Sequence, residues 1–275
     1  MVVTGAGGQV GLALRPLLPA GRFLTRDQLD VTDGAAVRSE LKGADVVIHL
    51  AAMTNVDECE RAPARAFEVN AEGTRNVAEA SAGHGARVIY VSTDYVFDGT
   101  KPVAYEEDDP PAPLNQYGCS KVAGEGHVAA EPGNLIVRSS WIYGQGANFI
   151  RTIVGAARRG DPLRVVDDQR GRPTSAEDLA AALAFLVASD VSGVLHVSGD
   201  GDPCSWADLA EFAIAAAGLP EPVERIDSAT YQGEANRMVA RRPSSSVLSL
   251  AKAERLGVPL RPWRPSVELY VRTLA

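Results

Sequence analysis

Cysteine is scarce in this chain, and so is any excess of positive charge. Cys59, Cys119 and Cys204 are its only cysteines in 275 residues. They are odd in number, far apart and in no metal-ligand spacing, so the sequence offers neither a disulfide framework nor a thiolate metal site. A reducing compartment, the cytoplasm, is expected. Lys and Arg number 27 against 35 Asp and Glu, a formal net charge of −8, and a field of that sign opposes nucleic acid and anionic membranes at long range. No nucleic-acid or membrane partner is expected, and a phosphate-bearing ligand must be held by local donors. No stretch approaches the ~20 consecutive apolar residues of a membrane-spanning helix. No charged leader, apolar signal core or cleavage site precedes Val2, so no signal peptide is expected. Internal repeats, low-complexity tracts and long linkers are missing as well, which leaves a globular chain of one large or two unequal domains.

What is present is a rhythm. Short apolar runs at Val2 to Thr4, Arg22 to Leu24, Val46 to Leu50, Val88 to Val91 and Leu135 to Val137 alternate with helical patterns such as Ala62 to Ala82 and Gln116 to Ala130. Runs apolar on both faces are what a parallel sheet covered by crossover helices produces, so the expected fold is α/β, a doubly wound parallel sheet of the Rossmann type. Pro63 suits a first helical position, and Gly83 and Gly85 suit a helix end. Beyond Trp141 the rhythm loosens, with helices expected at Asn148 to Arg159 and Trp206 to Ala217. Glu177 to Ala188 and Val194 to Val197 read as a helix and strand returning to the sheet. The expected division is a dinucleotide-binding domain at 1–142 plus about 175–198, and a smaller, discontinuous α+β substrate domain at about 143–174 and 199–275.

Gly5-Ala6-Gly7-Gly8-Gln9-Val10-Gly11 stands between the first strand and a helix. Glycine there permits a sharp turn, lets backbone N–H groups approach a pyrophosphate and clears the contact of helix with strand. The helix N-terminus adds positive potential. Such a pattern alone also fits an ordinary tight turn; its place at the head of a βαβ series points to a dinucleotide. At the end of the second strand, where an acid commonly accepts the ribose hydroxyls of NAD, this chain has Thr25 and Arg26. Arg26 is placed to pair with a 2′-phosphate, which makes NADPH the expected cofactor; if Arg26 is only a solvated loop charge, NADH is the alternative. Asp30 and Val31 are candidates for the adenine region, and the competing role of Asp30 is a helix cap.

Ser92-Thr93-Asp94-Tyr95-Val96-Phe97-Asp98-Gly99 follows the fourth strand, and Tyr117 and Lys121 come four residues apart on the next helix, so they share a face. A hydroxyl, a phenol and an ammonium in one cleft are what a nicotinamide-dependent carbonyl reductase needs. For a tyrosine of pKa near 10 to exchange a proton near neutrality, a shift of about three units is required, roughly 4 kcal/mol. A neighbouring ammonium supplies part of it by stabilising the phenolate. On this reading Lys121 also bonds the nicotinamide ribose, and Thr93 polarises the substrate carbonyl. The plainer alternatives are a half-buried helix aromatic, a solvated lysine and a strand-end hydroxyl capping a turn. Asp94 at such a loop commonly bonds nearby N–H groups.

Those motifs, with His49-Leu50-Ala51-Ala52-Met53-Thr54-Asn55-Val56-Asp57, Arg138-Ser139-Ser140-Trp141, Asp168 to Thr174 and Arg242-Pro243-Ser244-Ser245-Ser246, together resemble the dTDP-4-dehydrorhamnose reductases of the extended short-chain dehydrogenase/reductase superfamily. The resemblance covers essentially the whole chain. It implies that Gly8, Gln9 and Val10, in one loop with Gly5, Gly7 and Gly11, line the pyrophosphate. Ala52, Met53 and Thr54 then line the adenosine and ribose region, and Val91 lies near the nicotinamide. It also implies that Thr93 and Asp94 meet the sugar and that Trp141 packs on the substrate, with a core aromatic as the alternative for Trp141. Asn148 and Arg242 are further candidates for the sugar or its diphosphate, Arg242 because an acidic protein needs a local cation there.

The activity implied is NAD(P)H-dependent reduction of the 4-keto group of dTDP-4-dehydro-L-rhamnose to dTDP-L-rhamnose. Two other readings stand beside it: a 4-ketoreductase for another nucleotide-activated deoxysugar, and a non-catalytic, cofactor-binding regulatory subunit. A dehydratase is disfavoured, since related dehydratases place Asp-Glu after the threonine and here Tyr95 follows Asp94. Some family members dimerise through a metal held by glutamates on the first helix. Leu12-Ala13-Leu14-Arg15 has no carboxylate, so no metal site is expected, and the chain is expected to be a monomer or weak homodimer.

Overall fold

The computed structural model describes residues 1–220, 222–234 and 239–274. The first half runs β1 (Val2–Thr4), α1 (Gln9–Leu14), β2 (Arg22–Leu24), α2 (Gly34–Glu40), β3 (Val46–His49), α3 (Val56–Arg61), α4 (Pro63–Phe67), α5 (Gly73–Gly83), β4 (Arg87–Thr93), α6 (Gln116–Ala129) and β5 (Leu135–Ser139). There follow β6 (Ile142–Tyr143), α7 (Phe149–Arg158), β7 (Leu163–Val166), β8 (Arg170–Gly171), β9 (Thr174–Ser175), α8 (Ala176–Val187) and β10 (Gly193–His196). The chain ends with β11 (Cys204–Ser205), α9 (Trp206–Ala216), β12 (Val223–Ile226), α10 (Ser228–Glu234), α11 (Ala251–Arg255) and α12 (Trp263–Arg272).

Side chains at the helix starts explain where these helices begin. Asn55 accepts the Glu58 N–H at 3.0 Å, Asn115 accepts that of Gly118 at 2.8 Å, and Ser205 and Asp208 form a reciprocal capping box; each such cap contributes ~1 kcal/mol. Asp33, not Asp30, caps α2, accepting from Ala35 and Ala36 at 3.0 Å. Asp30 instead closes a local turn on the N–H and hydroxyl of Thr32. The cap role expected of Asp30 therefore belongs to its neighbour, because only Asp33 stands at the position whose side chain reaches the orphan donors of the first turn.

Six strands form one parallel sheet in the order β10-β5-β4-β3-β1-β2. From β1 the chain steps to β2 on one side and then to β3 on the other. That reversal opens a crevice at the carboxyl ends of β1 and β3, where open α/β sheets take their ligands. On one face α1 and α8 pack together over Leu14, Leu179, Leu183 and Leu195; on the other α2 and α5 cover Val37, Leu41, Val47 and Val77. Each fully buried Leu or Ile of this kind contributes ~1.5–3 kcal/mol. A separate core of Ile150, Val154, Leu209, Ile214, Trp263 and Val267 joins α7, α9 and α12, next to the short pairs β7–β12, β8–β11 and β6–β9. No helix among the described residues is long and apolar enough to cross a membrane.

The helix expected over Ala62 to Ala82 is interrupted. Between α4 and α5 the residues Glu68–Glu72 form a π-helical turn, a widening often found at functional sites. Asn70 lies in it, fully buried, and its side chain reaches out of the helix to two other elements. The fourth strand also runs further than its apolar run, through Ser92 to Thr93, so Thr93 is held by the sheet and not by a loop.

Candidate active site

The glycine loop lies in the crevice between β1 and β3. Gly5 has φ +66°, and a Cβ there would sit 2.4 Å from the Ala51 nitrogen, so the turn admits no side chain. Gly7 and Gly8 are exposed, while Gly11 is buried against Ala6. Val10 turns its side chain into the core with Leu14 and Leu183, which leaves only its backbone for a pyrophosphate. Gln9 reaches across to the loop before α7, its Nε2 donating to Ala147 O at 3.2 Å, while its Oε1 is buried without a protein partner. This is a cradle of bare backbone with an unspent amide beside it.

At the far end of the crevice Arg26 is exposed after β2. Asp30 lies within the field of both Arg65 and Arg26, although the bonds from Thr32 do most to lower its pKa. Arg65 was not signalled by sequence, since it precedes nothing glycine-rich. Val31 is placed differently from the adenine role expected of it: its side chain is in the core, and Gly73 is small enough to let it in. Ala52 and Met53 are half-buried and Thr54 exposed in the segment after β3. Asn70 clasps that segment, accepting the Met53 N–H at 2.7 Å and donating to Met53 O at 3.0 Å. The same amide donates to Ser120 Oγ at 2.9 Å, and Ser120 donates to Tyr117 O at 2.8 Å. One buried asparagine thus ties the segment after β3 to the turn of α6 that carries Tyr117 and Lys121.

Tyr117 meets Thr93 because α6 presses on the turn Asp94–Val96. A Cβ at Gly118 would lie 2.2 Å from Tyr95 O, so glycine sets that approach. The Tyr117 ring stands edge-on to Tyr95 at 6.2 Å. Burial pushes the Tyr117 phenol above the usual tyrosine range, and a hydrogen bond with Thr93 pulls the other way. Lys121, 2 % exposed, donates to Val91 O at 2.8 Å and lies 4.0 Å over the Tyr90 ring. Burial draws its ammonium down to about 7, against an upward pull from Glu125.

These positions correct the expectation that Lys121 acts by stabilising the Tyr117 phenolate: its charge is aimed at a strand carbonyl and an aromatic face. Glu125 is in turn gripped by Arg138, bidentate at 2.7 and 3.0 Å, with both groups nearly fully buried. Geometry of that kind is stronger than an isolated pair.

Thr93 performs its plainer duty as well, accepting the Tyr95 N–H at 3.2 Å as the cap of the turn. Asp94 is turned inward, one oxygen toward Thr93 Oγ1 at 3.2 Å and the other accepting from Ser246. With 2 % exposure it meets a ligand only through Thr93, not directly as expected. Ser246 stood in the Arg242 to Ser246 motif with no role of its own; its partner is 152 positions away, a separation no local pattern encodes.

On the substrate side, Trp141 is the one non-glycine among the described residues with positive φ, +46°. Strain of this kind persists only where surroundings enforce it. Its ring stacks on Trp206 at 3.7 Å and 9° and packs against Gly171, which covers one face. The half-buried remainder is what it can offer a ligand. Asn148 is corrected from a sugar contact to a structural residue. It caps α7 by accepting the Arg151 N–H at 3.0 Å, and it donates to Gly144 O at 2.7 Å and to the Tyr270 hydroxyl at 2.6 Å, so its amide is committed. Arg242 pairs with Asp57 of α3 at 2.9 Å and bonds the Tyr95 hydroxyl, which brings a cation beside the Thr93–Tyr117 pair.

The comparisons with known proteins agree with this geometry. The model of the RmlD substrate binding domain family matches residues 1–275. A dTDP-4-dehydrorhamnose reductase of Sinorhizobium fredii is 39% identical, the alignment covering 100% of this chain and 97% of that one. Among solved structures, a dTDP-4-dehydrorhamnose reductase of Clostridium acetobutylicum superposes with TM-score 0.93 at 35% identity, covering 99% of this chain and 98% of that one. The Bacillus anthracis dTDP-4-dehydrorhamnose reductase in complex with NADP gives 0.92 at 34%, with the same coverage. Matched from end to end by that family model and by these relatives, the chain belongs to the RmlD family, that of the dTDP-4-dehydrorhamnose reductases.

Proposed function

We propose that this chain is an NADPH-dependent reductase that converts the 4-keto group of dTDP-4-dehydro-L-rhamnose to the alcohol of dTDP-L-rhamnose. The observation that carries the reading is the convergence of Thr93 and Tyr117 beside the buried Lys121, at the carboxyl end of β4 and next to the glycine cradle. The relatives bearing the reductase name, and the one solved with NADP, support it.

The residues present fit the cofactor. The cradle of Gly5, Gly7 and Gly8 admits a pyrophosphate, with the buried, unpaired Gln9 Oε1 at its side, and Arg26 and Arg65 about Asp30 suit a 2′-phosphate. NADPH, when bound, supplies the hydride. Thr93 and Tyr117 hold the ketone oxygen as charge grows on it, and Tyr117 delivers the proton from its phenol oxygen. In the ligand-free chain burial raises the phenol pKa, opposite to the downward shift expected from sequence, so Tyr117 enters the reaction protonated and holding the proton it is to deliver. Lys121 holds the ribose and braces the Val91 end of β4. Trp141 packs on the sugar with its free face, and Arg242 offers charge to the diphosphate. The same reading places the enzyme in the cytoplasm as a monomer or weak homodimer, since α1 (Gln9–Leu14) presents no carboxylate for a bridging metal.

The test is turnover by the purified chain, with the keto sugar made from dTDP-glucose by the upstream dehydratase and epimerase, and with either NADPH or NADH. NADPH is expected to be oxidised stoichiometrically with product, and kcat/KM is expected to favour NADPH by at least about tenfold, the equivalent of one 1.4 kcal/mol contact. Cofactor binding without any turnover would show a regulatory subunit instead.

A further inference from the structure

The site contains a buried carboxyl for which the reduction itself has no use. Asp94 follows Thr93 directly, and each of its oxygens has a hydroxyl partner. Ser246, also 2 % exposed, donates to Oδ2, while Oδ1 stands 3.2 Å from Thr93 Oγ1. The Thr93 oxygen accepts the Tyr95 N–H besides. A hydroxyl has one proton and two acceptor positions, so Asp94 decides where the Thr93 proton points. An ionised Asp94 only accepts, and it draws that proton inward, away from Tyr117 and the ketone. A neutral Asp94 whose Oδ2 is already accepting from Ser246 carries its proton on Oδ1 and donates it to Thr93. Both acceptor positions of Thr93 are then filled, by the Tyr95 N–H and by Asp94, and its own proton has only the outward direction left.

We propose that Asp94 and Ser246 are positioning residues: Ser246 fixes the carboxyl proton of Asp94 on Oδ1, and Asp94 thereby turns the Thr93 hydroxyl outward as a donor to the substrate carbonyl. The inference rests on the reductase reading of Thr93 and adds to it a condition, that the neighbouring carboxyl be neutral. Burial holds Asp94 up at about 7, with the bonds from Ser246 and Thr93 lowering it against that burial, so the neutral form prevails on the acid side of neutrality. The titratable and charged groups about it are Tyr95 of the same turn, Tyr117 of α6, Cys59 and Asp57 of α3, and Arg242 of the C-terminal segment, which is ion-paired with Asp57. Burial raises both tyrosines and brings Cys59 to about 11, so those three stay protonated through neutrality.

The experiment is the pH profile of kcat for wild type, D94N, S246A and S246T, together with the infrared spectra of the ligand-free proteins. Wild-type kcat is expected to fall as pH rises past about 7, as Asp94 ionises. D94N keeps an N–H donor toward Thr93 at every pH, so it is expected to hold kcat within about threefold of wild type near pH 6 and to lose the Asp94 share of the alkaline fall, leaving the shallower fall set by Lys121, which burial draws down to about 7. S246A is expected to lower kcat by about tenfold, the scale of one lost hydrogen bond. It also moves the fall to higher pH, because the bond it removes lowers the Asp94 pKa; S246T restores both. A fall in D94N as steep as that of wild type overturns the proposal, as does an S246A profile identical to wild type.

Absence of any wild-type turnover refutes the reductase reading, and the infrared arm still decides the positioning. A carboxylic-acid carbonyl band is expected in ligand-free wild type on the acid side of neutrality, absent in D94N and shifted in S246A. No such band means that Asp94 is ionised and the proposal is wrong. Should D94N fail to fold, S246A and S246T carry both readouts.

Discussion

Tyr117→Phe is expected to lower kcat for the keto sugar by about 10²–10⁴-fold, the usual worth of a positioned general acid, while changing the KM for NADPH little. The substitution removes one oxygen and keeps the ring, so the edge-on contact with Tyr95 and the seating of α6 on the Asp94–Val96 turn survive. A melting temperature within a few degrees of wild type is expected from a change of about 1 kcal/mol or less. The size of the loss follows from the proposed role of the phenol, which is to protonate the growing alkoxide. Its raised pKa adds a second expectation: the wild-type rate shows no alkaline limb from Tyr117 ionisation near neutrality, since the proton is never missing there. Steady-state kinetics of the purified variant check both, and a loss below about threefold would assign the acid role elsewhere.

Lys121→Met is expected to separate activity from stability. Turnover should fall by about 10²-fold or more, because on the proposed mechanism the ammonium holds the cofactor ribose, and β4 loses its bond to Val91 O. Stability should move the other way. Burial in the folded chain draws the ammonium down to about 7 from the ordinary lysine value of 10.5, so between those pH values the unfolded chain binds a proton that the native chain lacks. The resulting penalty on the native state is full below pH 7 and fades as pH rises toward 10.5, with an upper bound on the order of 5 kcal/mol.

Methionine fills the same volume without charge and forfeits the hydrogen bond to Val91 O, worth ~1 kcal/mol. The variant is therefore expected to melt above wild type near pH 6, by about 4–8 °C per kcal/mol at most, with the gap narrowing at alkaline pH. A variant less stable than wild type at acidic pH would show that Lys121 supports the fold, contrary to its burial.

Much of this molecule was legible in the sequence because its fold is written in local patterns. The five apolar runs of the first half mark strands, since parallel strands are apolar on both faces, and several helices start at a capping side chain, among them Asn55, Asn115 and Ser205. The glycine loop and the Tyr117–Lys121 spacing were equally legible, being short-range consequences of a turn and of a helix. What was hidden is the wiring across the sheet. Nothing in a sequence says that Asn70 spans from Met53 to Ser120, or that Ser246 reaches Asp94. Both depend on which elements the topology makes adjacent. Asn148 misled for a related reason: a residue that suits a ligand also suits a helix cap, and the cap took it. Lys121 shows a subtler limit. Its position was clear from spacing, but its electrostatics are set by burial against Tyr90 and β4, which spacing does not report.

The central claim is that a hydride reaches the sugar carbonyl at the site formed by Thr93, Tyr117 and Lys121. It is tested most directly by running the reaction with NADPH deuterated at carbon 4 of the nicotinamide and locating the label in the product by NMR. The account predicts deuterium at carbon 4 of the sugar, in equal amount to the NADPH consumed, and strongly reduced transfer in the Tyr117→Phe variant. Deuterium elsewhere in the product, or transfer undiminished by that substitution, would contradict it.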